Sequence, residues 1–291
     1  MEWVVGIDFA GPARARDQRR KILAVAVERL APRRYVISPH GLNQRLLEAP
    51  PGWAAFELAD ALIQSTVPVS VVAADFPFSL PAPLLSLPSF AALVGHPHAF
   101  GTWQAFNAFV ASRLSLPGPV DYAPFAGWRN KAHWLKRATD AAARAQPPLK
   151  DRFQVLFNMT LLGAAFLARL ESSGRFDVLP FQSRGRSAVV EIYPGHALRQ
   201  WGVPHYKKAP AKAIDAALGH MNALGIHLEL DPAVRRVCER YDTGCGTSRD
   251  HDAADALVAA CLAVLYREGH ARPVPVGPSA PSWVEGAIWG P

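Results

Sequence analysis

The amino-acid sequence predicts an α/β protein in which a mixed five-stranded sheet carries helices on both faces. Three short apolar segments follow one another closely at the N terminus, and two later strand-like segments each come after helical sequence. Closely linked strands pair antiparallel, whereas strands joined through a helix run parallel. The sheet is therefore expected to contain both directions. Apolar residues make up 50% of the chain, which is enough for a core on each face.

The first three strands are predicted from apolar runs that end in turn residues. Residues 2–9 form a run that ends at Asp8, before a Gly-Pro turn. Residues 22–27 and 35–37 have the same character and are linked by a short turn at 31–34. These short links favour antiparallel neighbours, so the first acidic residue is placed at a strand end.

A helix, a fourth strand and an insertion come next. Helical spacing at 53–64 leads into a predicted strand at 69–74, which ends at Asp75. Residues 79–180 then change character, because prolines punctuate a segment that is rich in aromatic side chains. We expect a helical insertion packed on one edge of the sheet, within a single domain that spans residues 1–291.

The C-terminal third returns to regular structure. A fifth strand is predicted at 187–192, with Glu191 inside an otherwise apolar run. A Pro/Gly-rich tail at 271–291 is expected to lie on the surface. Helices are predicted at 196–201, 211–224 and 250–267.

Five acidic residues are candidates for one site. Ligand chemistry in such sheets gathers at the carboxyl ends of parallel strands, where Asp8 and Asp75 are expected. Asp252 and Asp255 lie three residues apart, so they share a face of the C-terminal helix. Asp252 has an alternative role beside the helix dipole, and Asp8 and Asp75 have one as turn formers. Asp255 lies among apolar residues, where an unpaired carboxylate is costly.

Clustered carboxylates predict a divalent cation. If these four aspartates meet Glu191 at one edge of the sheet, their charges repel unless a cation lies between them. Oxygen ligands suit Mg²⁺ or Mn²⁺, and two such ions can activate a water for phosphodiester hydrolysis. The pattern therefore favours a metal-dependent nuclease.

Four motifs contain the candidate acids: Val5-Gly6-Ile7-Asp8, Ala74-Asp75-Phe76-Pro77, Glu191-Ile192-Tyr193-Pro194 and Asp252-Ala253-Ala254-Asp255-Ala256. Together they resemble the domain-of-unknown-function family 429, a predicted RNase H-like nuclease family. The resemblance covers nearly the whole chain and implies an RNase H-like fold, with Asp8, Asp75 and Asp255 as metal ligands and Glu191 and Asp252 assisting. Asp75 stands where many nucleases of that fold have the longer Glu. The segment around Arg137 and Lys150 is also similar to the central segment of that family.

The net charge favours a polyanionic partner. Lysine and arginine number 31 against 24 acidic residues, a formal charge of +7, so DNA or RNA is the expected partner. An apolar run at 153–170 is interrupted by polar residues, which indicates a buried helix and no membrane span. A cytoplasmic location is expected, and no obligate protein partner is implied. The candidate nucleic-acid-binding residues are Arg137, Lys150, Arg184, Arg186, Lys207 and Lys208.

Two alternative functions are compatible with the same predicted fold. The first is an inactive RNase H-like protein that binds nucleic acid or nucleotides and whose acids are structural. The second is an ATPase of the actin and sugar-kinase type, which requires paired glycine-rich phosphate turns. Only Gly11 follows Asp8 closely, and no second such turn is evident.

Overall fold

The computed structural model describes residues 1–114, 119–152, 156–239, 251–278 and 280–291. In this part of the chain, nine strands form a single mixed sheet in the order β7-β3-β2-β1-β4-β6-β9-β8, with β5 paired to β6. The strands are β1 (Glu2–Asp8), β2 (Leu23–Ala31), β3 (Arg34–Ile37), β4 (Val69–Asp75), β5 (Phe176–Val178), β6 (Ser187–Ile192), β7 (His227–Leu230), β8 (Arg272–Pro273) and β9 (Ile288–Gly290).

The helices cover both faces of this sheet, as predicted. The α-helices are α1 (Ala15–Gln18), α2 (Ala55–Gln64), α3 (Ala82–Leu85), α4 (Pro88–Ala92), α5 (Trp103–Arg113), α6 (Ala138–Ala142), α7 (Phe157–Ser172), α8 (Pro194–Gln200), α9 (Pro210–Ala223), α10 (Pro232–Cys238), α11 (Asp252–Arg267) and α12 (Ser282–Glu285). Short 3₁₀ turns lie at Gly41–Leu47, Ala123–Trp128, Lys131–His133 and Tyr206–Lys208.

The centre of the sheet has the predicted five strands. Strand β2 pairs antiparallel with β1 and β3, whereas β4 pairs parallel with β1 and β6. The α/β class and the mixed sheet are confirmed, and nothing in this arrangement conflicts with an RNase H-like fold. Four further strands extend the sheet beyond the five that were predicted. The four further strands are two to four residues long, too short for an alternating pattern to be detected.

Side chains of β1 alternate between the two cores. Val5 and Ile7 pack in the layer that contains α2, α5 and α7, whereas Val4 packs in the layer that contains α9 and α11. This alternation follows from the period of two along a strand. Helix α11 is buried at every residue from Ala253 to Leu265, which explains why its sequence is apolar nearly all round.

The predicted insertion contributes α3 to α7 and β5, and it shares the core of the sheet's first face. Its aromatic residues pack against one another, and the stacked rings of Phe90 and Trp128 lie 4.8 Å apart between centroids. The apolar run at 153–170 becomes α7, a largely buried helix, although residues 153–155 lie outside the described residues. No helix in the described part of the chain is long and apolar enough to cross a membrane.

The tail does not lie wholly on the surface, contrary to the prediction. Strand β9 pairs parallel with the end of β6 at Glu191 and Ile192, and Ile288 is buried. The prolines and glycines of the tail indicate turns, but they do not show that the three residues of β9 form a strand that pairs with β6. Trp283, in contrast, is 72% exposed.

Candidate active site

Two aspartates meet at the carboxyl edge of the sheet. Asp8 is the last residue of β1 and Asp75 is the last residue of β4, and the parallel register pairs them directly. Neighbouring strands lie about 5 Å apart, so the two carboxylates start from adjacent backbone positions. The strand ends thus fix the first half of the site.

Helix α11 supplies two more aspartates. Its described part begins at Asp252, so Asp252 and Asp255 both lie in the first turn, while the predicted start at Asp250 lies outside the described residues. The four side chains Asp8, Asp75, Asp252 and Asp255 line one cavity of about 470 Å³. Two strands and one helix, distant in sequence, therefore place four carboxyl groups around a common space.

Burial and mutual repulsion disfavour the ionised forms of Asp8, Asp75 and Asp255. Burial raises the pKa of Asp8 well above its usual value, and the charges of the other three aspartates raise it further. The pKa of Asp75 is raised by burial and by Asp255. Burial likewise raises the pKa of Asp255 to about 7, against the opposing charge of Lys207. A bound cation would relieve this cost.

Only one of the two carboxyl oxygens of Asp255 has a hydrogen-bond partner among the described residues. Tyr206, which is buried beside it in a 3₁₀ turn, forms a side-chain hydrogen bond with the carboxyl group. Asp255 Oδ1 is buried and has no hydrogen-bond partner among the described residues. Buried polar atoms rarely lack a hydrogen-bond partner, so this oxygen is a candidate to bind a metal ion. Sequence reasoning missed Tyr206, because a single tyrosine in a short turn carries no periodic signal.

Glu191 lies in the same cavity wall, but its carboxylate is engaged with protein groups. Its Oε2 accepts hydrogen bonds from Arg137 Nη1 at 2.7 Å and from the backbone N–H of Phe78 at 3.0 Å, and its Oε1 accepts from Arg137 Nη2. Burial raises the pKa of Glu191, and Arg137 opposes that rise. This ion pair holds the segment that follows Asp75 against β6.

Arg137 occupies an internal position. It is 1% exposed, and its Nε donates to Asp140 at 2.9 Å while Nη2 contacts both Asp140 and Glu191. Its Nη1 also donates to the backbone carbonyl of Glu285 at 3.1 Å. All five N–H donors therefore have acceptors within the protein. The guanidinium joins the insertion, β6 and the tail, so we do not retain Arg137 in the nucleic-acid-binding surface.

The other predicted basic residues are divided between two ends of the sheet. Lys207 lines the cavity, and Lys150 contacts the cavity residue Gln146 at 2.8 Å. Lys208 is exposed and follows Lys207 directly. Arg184 and Arg186 precede β6, so they lie at the opposite end of that strand from Glu191, roughly 20 Å away for six residues. The structure does not bring these two arginines to the acids.

The cavity also contains basic and polar side chains besides the aspartates, Glu191 and Lys207. Lys21 and Arg199 add positive charge to its wall, and Tyr193 adds an aromatic hydroxyl. His251 lies beside the acids, with Nε2 3.5 Å from Asp252 Oδ1. A cavity with acids at one wall and cations nearby suits a ligand that carries both a metal ion and a phosphate.

The donor set fits a hard divalent cation. Carboxylate oxygens are the ligands that Mg²⁺ and Mn²⁺ favour, and Asp255 Oδ1, which no described residue hydrogen-bonds, is available as such a ligand. Among the described residues, no group of three or more histidine, cysteine, aspartate or glutamate side chains is placed so that it could hold a metal ion. Mg²⁺ does not require such a group, since it usually retains several waters and binds through one or two carboxylates.

Asp255→Asn is expected to raise the melting temperature at pH 8 in the absence of divalent metal. The pKa of Asp255 is about 7 in the folded protein, against about 4 for an aspartate in an unfolded chain. The parent therefore loses stability as the pH rises from about 4 to about 7, and the cost persists above that range. Asparagine has no such cost.

Thermal melts at pH 8 and pH 4, followed by circular dichroism, check this prediction. The gain should shrink at pH 4, where the aspartate is protonated in the folded protein and about half protonated in the unfolded chain. Asp215→Asn is the control, because Asp215 is 60% exposed in a surface ion pair with Arg235. If Asp255→Asn melts lower than the parent at both pH values, Asp255 is a structural hydrogen-bond partner.

Comparison with known proteins identifies one family. The family described as "Protein of unknown function (DUF429)" matches residues 6–280, a span that contains all four cavity aspartates. No curated protein and no solved structure matches the chain.

Proposed function

The chain belongs to the family of unknown function DUF429, and we propose that it is a metal-dependent nuclease that hydrolyses phosphodiester bonds. The observation that carries the proposal is the convergence of four aspartates from β1, β4 and α11 on one cavity. A divalent metal held there would activate water and stabilise the developing charge on the leaving oxygen.

Each aspartate has a proposed part in holding Mg²⁺ or Mn²⁺. Asp8 and Asp75 are the ligands from the strand ends, and Asp255 contributes Oδ1, the oxygen that has no hydrogen-bond partner in the described part of the chain. Asp252 assists from the same helical turn. Tyr206 orients Asp255 by hydrogen bonding, which fixes the direction of the remaining oxygen.

Glu191 acts as a positioning residue in this proposal. Its carboxylate holds the backbone of Phe78, three residues after Asp75, and is itself held by Arg137. Glu191, which the family resemblance placed beside the metal ligands in an assisting role, thus acts indirectly by maintaining the position of the β4 end.

The proposed partner is DNA or RNA. A formal charge of +7 attracts polyanions, and Lys21, Arg199 and Lys207 line the cavity where a phosphate next to the cleaved bond would bind. We also propose a cytoplasmic location, because the described cysteines Cys238 and Cys261 are both buried free thiols.

The deciding experiment is cleavage of labelled DNA and RNA, single-stranded and duplex, with Mg²⁺ or Mn²⁺. We expect cleavage that depends on metal and falls to background in Asp8→Asn, because that variant loses the ligand whose position the β1–β4 register fixes. Asp215→Asn, prepared identically, should cleave like the parent, since Asp215 lies on the surface of α9.

Two other outcomes have definite meanings. Binding of oligonucleotides by parent and Asp8→Asn without any cleavage would favour the alternative, an inactive nucleic-acid or nucleotide binding protein. Equal cleavage by the parent and Asp8→Asn would contradict the proposed site and point to a contaminating nuclease.

A further inference from the structure

Lys207 stands at the mouth of the acidic cavity. It is exposed in a 3₁₀ turn and lines the same cavity as Asp8, Asp75 and Asp255. The neighbouring Tyr206 is 7% exposed and fixes the turn by its hydrogen bond to Asp255. The ammonium group lies 5.9 Å from the centre of the Tyr206 ring. A buried anchor thus holds an exposed cation beside the acids.

The charge of Lys207 acts on three of the aspartates at once. Lys207 lines the same cavity as Asp8, Asp75 and Asp255, so its positive charge attracts their carboxylates. Lys208, the next residue, is also exposed but is not among the described residues that line the cavity. Two adjacent lysines therefore differ in their relation to the site.

We propose that Lys207 is the resident counter-ion of the acidic cavity, which competes with a divalent cation and binds the substrate's phosphate once that cation is in place. This inference rests on the proposed function. Before metal binds, the carboxylates attract the ammonium group. After metal binds, their charge is neutralised, so the ammonium group is released toward an anionic ligand. The geometry thereby couples metal binding to phosphate binding through one side chain.

The test compares the parent with Lys207→Gln and with the matched control Lys208→Gln. Mn²⁺ affinity is measured by calorimetry and by the rise in melting temperature with Mn²⁺ concentration. Lys207→Gln is expected to bind Mn²⁺ on the order of fivefold more tightly, the effect of removing one charge several ångströms from a divalent cation in water-like surroundings. Lys208→Gln should bind like the parent.

A second measurement tests the phosphate role. Anisotropy of a labelled single-stranded phosphorothioate oligonucleotide is recorded with and without Mn²⁺. Lys207→Gln should weaken binding more than Lys208→Gln when Mn²⁺ is present, whereas the two variants should behave alike when it is absent. Lys207→Arg, which keeps the charge, should retain the response of the parent.

The outcomes separate this inference from the proposed function. Equal Mn²⁺ affinities in Lys207→Gln and Lys208→Gln, with a clear response in the parent, would overturn the role of Lys207 alone. No response to Mn²⁺ in the parent would overturn the proposed function. The counter-ion role is then decided by metal-free melting at pH 8, where Lys207→Gln should melt lower than Lys208→Gln and equal melting would reject it.

Discussion

Gly6→Ala is expected to destabilise the protein by about 3 kcal/mol or more, at the upper end for overpacked cores. A Cβ atom at Gly6 would overlap the backbone of Ala259 and Ala260 in α11, far inside normal contact distance. Because these neighbours are backbone atoms of a buried helix, no side-chain rotation can relieve the overlap. Strand β1 and helix α11 would have to separate.

Urea unfolding at neutral pH measures this effect. Gly219→Ala is the matched control, because Gly219 lies in α9 and a Cβ there would meet nothing within 4 Å. The control should be slightly more stable than the parent, since alanine favours a helix over glycine by roughly 0.5–1 kcal/mol. If Gly6→Ala is as stable as the parent, β1 and α11 do not pack as closely as the structure describes.

The same contact links the fold to the site. Asp8 lies two residues beyond Gly6, and Asp252 and Asp255 lie at the start of the helix that packs on it. Gly6→Ala should therefore lose stability and cleavage together, whereas Asp8→Asn should lose cleavage and keep its fold. Glycine at position 6 is thus required for α11 to pack close enough to β1 that its aspartates reach Asp8.

The sequence predicted the parts of the site that belong to regular structure. Asp8 and Asp75 end strands with clear apolar runs, and Asp252 and Asp255 share a face of a long apolar helix. The need for Gly6 at a helix contact was not predicted, because a glycine within a strand gives no sign of what packs against it. Periodicity identifies elements but not their distances.

Contacts between segments that are far apart in sequence could not be predicted either, because periodicity does not show which elements meet. Arg137 resembled a surface cation in the sequence. Its partner Glu191 is 54 residues away, and the two side chains meet only in the folded chain. Tyr206 has no regular pattern around it. Arg184 and Arg186 precede the Glu191 motif by a few residues, but a strand of six residues carries them to the other end of the sheet. Proximity in sequence was misleading there.

Arg137→Met is expected to lower the free energy of unfolding by about 3–5 kcal/mol at neutral pH, as for other broken buried ion pairs. Methionine replaces much of the side chain's volume but leaves Asp140 and Glu191 buried without their cation. Burial already raises the pKa of Glu191, and Arg137 opposes this rise more than the backbone N–H of Phe78 does, so the carboxyl should protonate more readily in the variant. Its loss of stability should consequently be smaller at pH 5 than at pH 7.

Urea unfolding at both pH values tests this prediction, with Arg184→Met as the control because Arg184 is exposed at the far end of β6. That control should change stability by no more than about 0.5 kcal/mol. Adding Glu191→Gln to Arg137→Met should recover part of the loss, since the amide removes one stranded charge while it can still accept from Phe78. If Arg137→Met instead keeps the parent's stability and weakens oligonucleotide binding, Arg137 belongs to the nucleic-acid surface after all, and the internal ion pair is not what holds the β4 end in place.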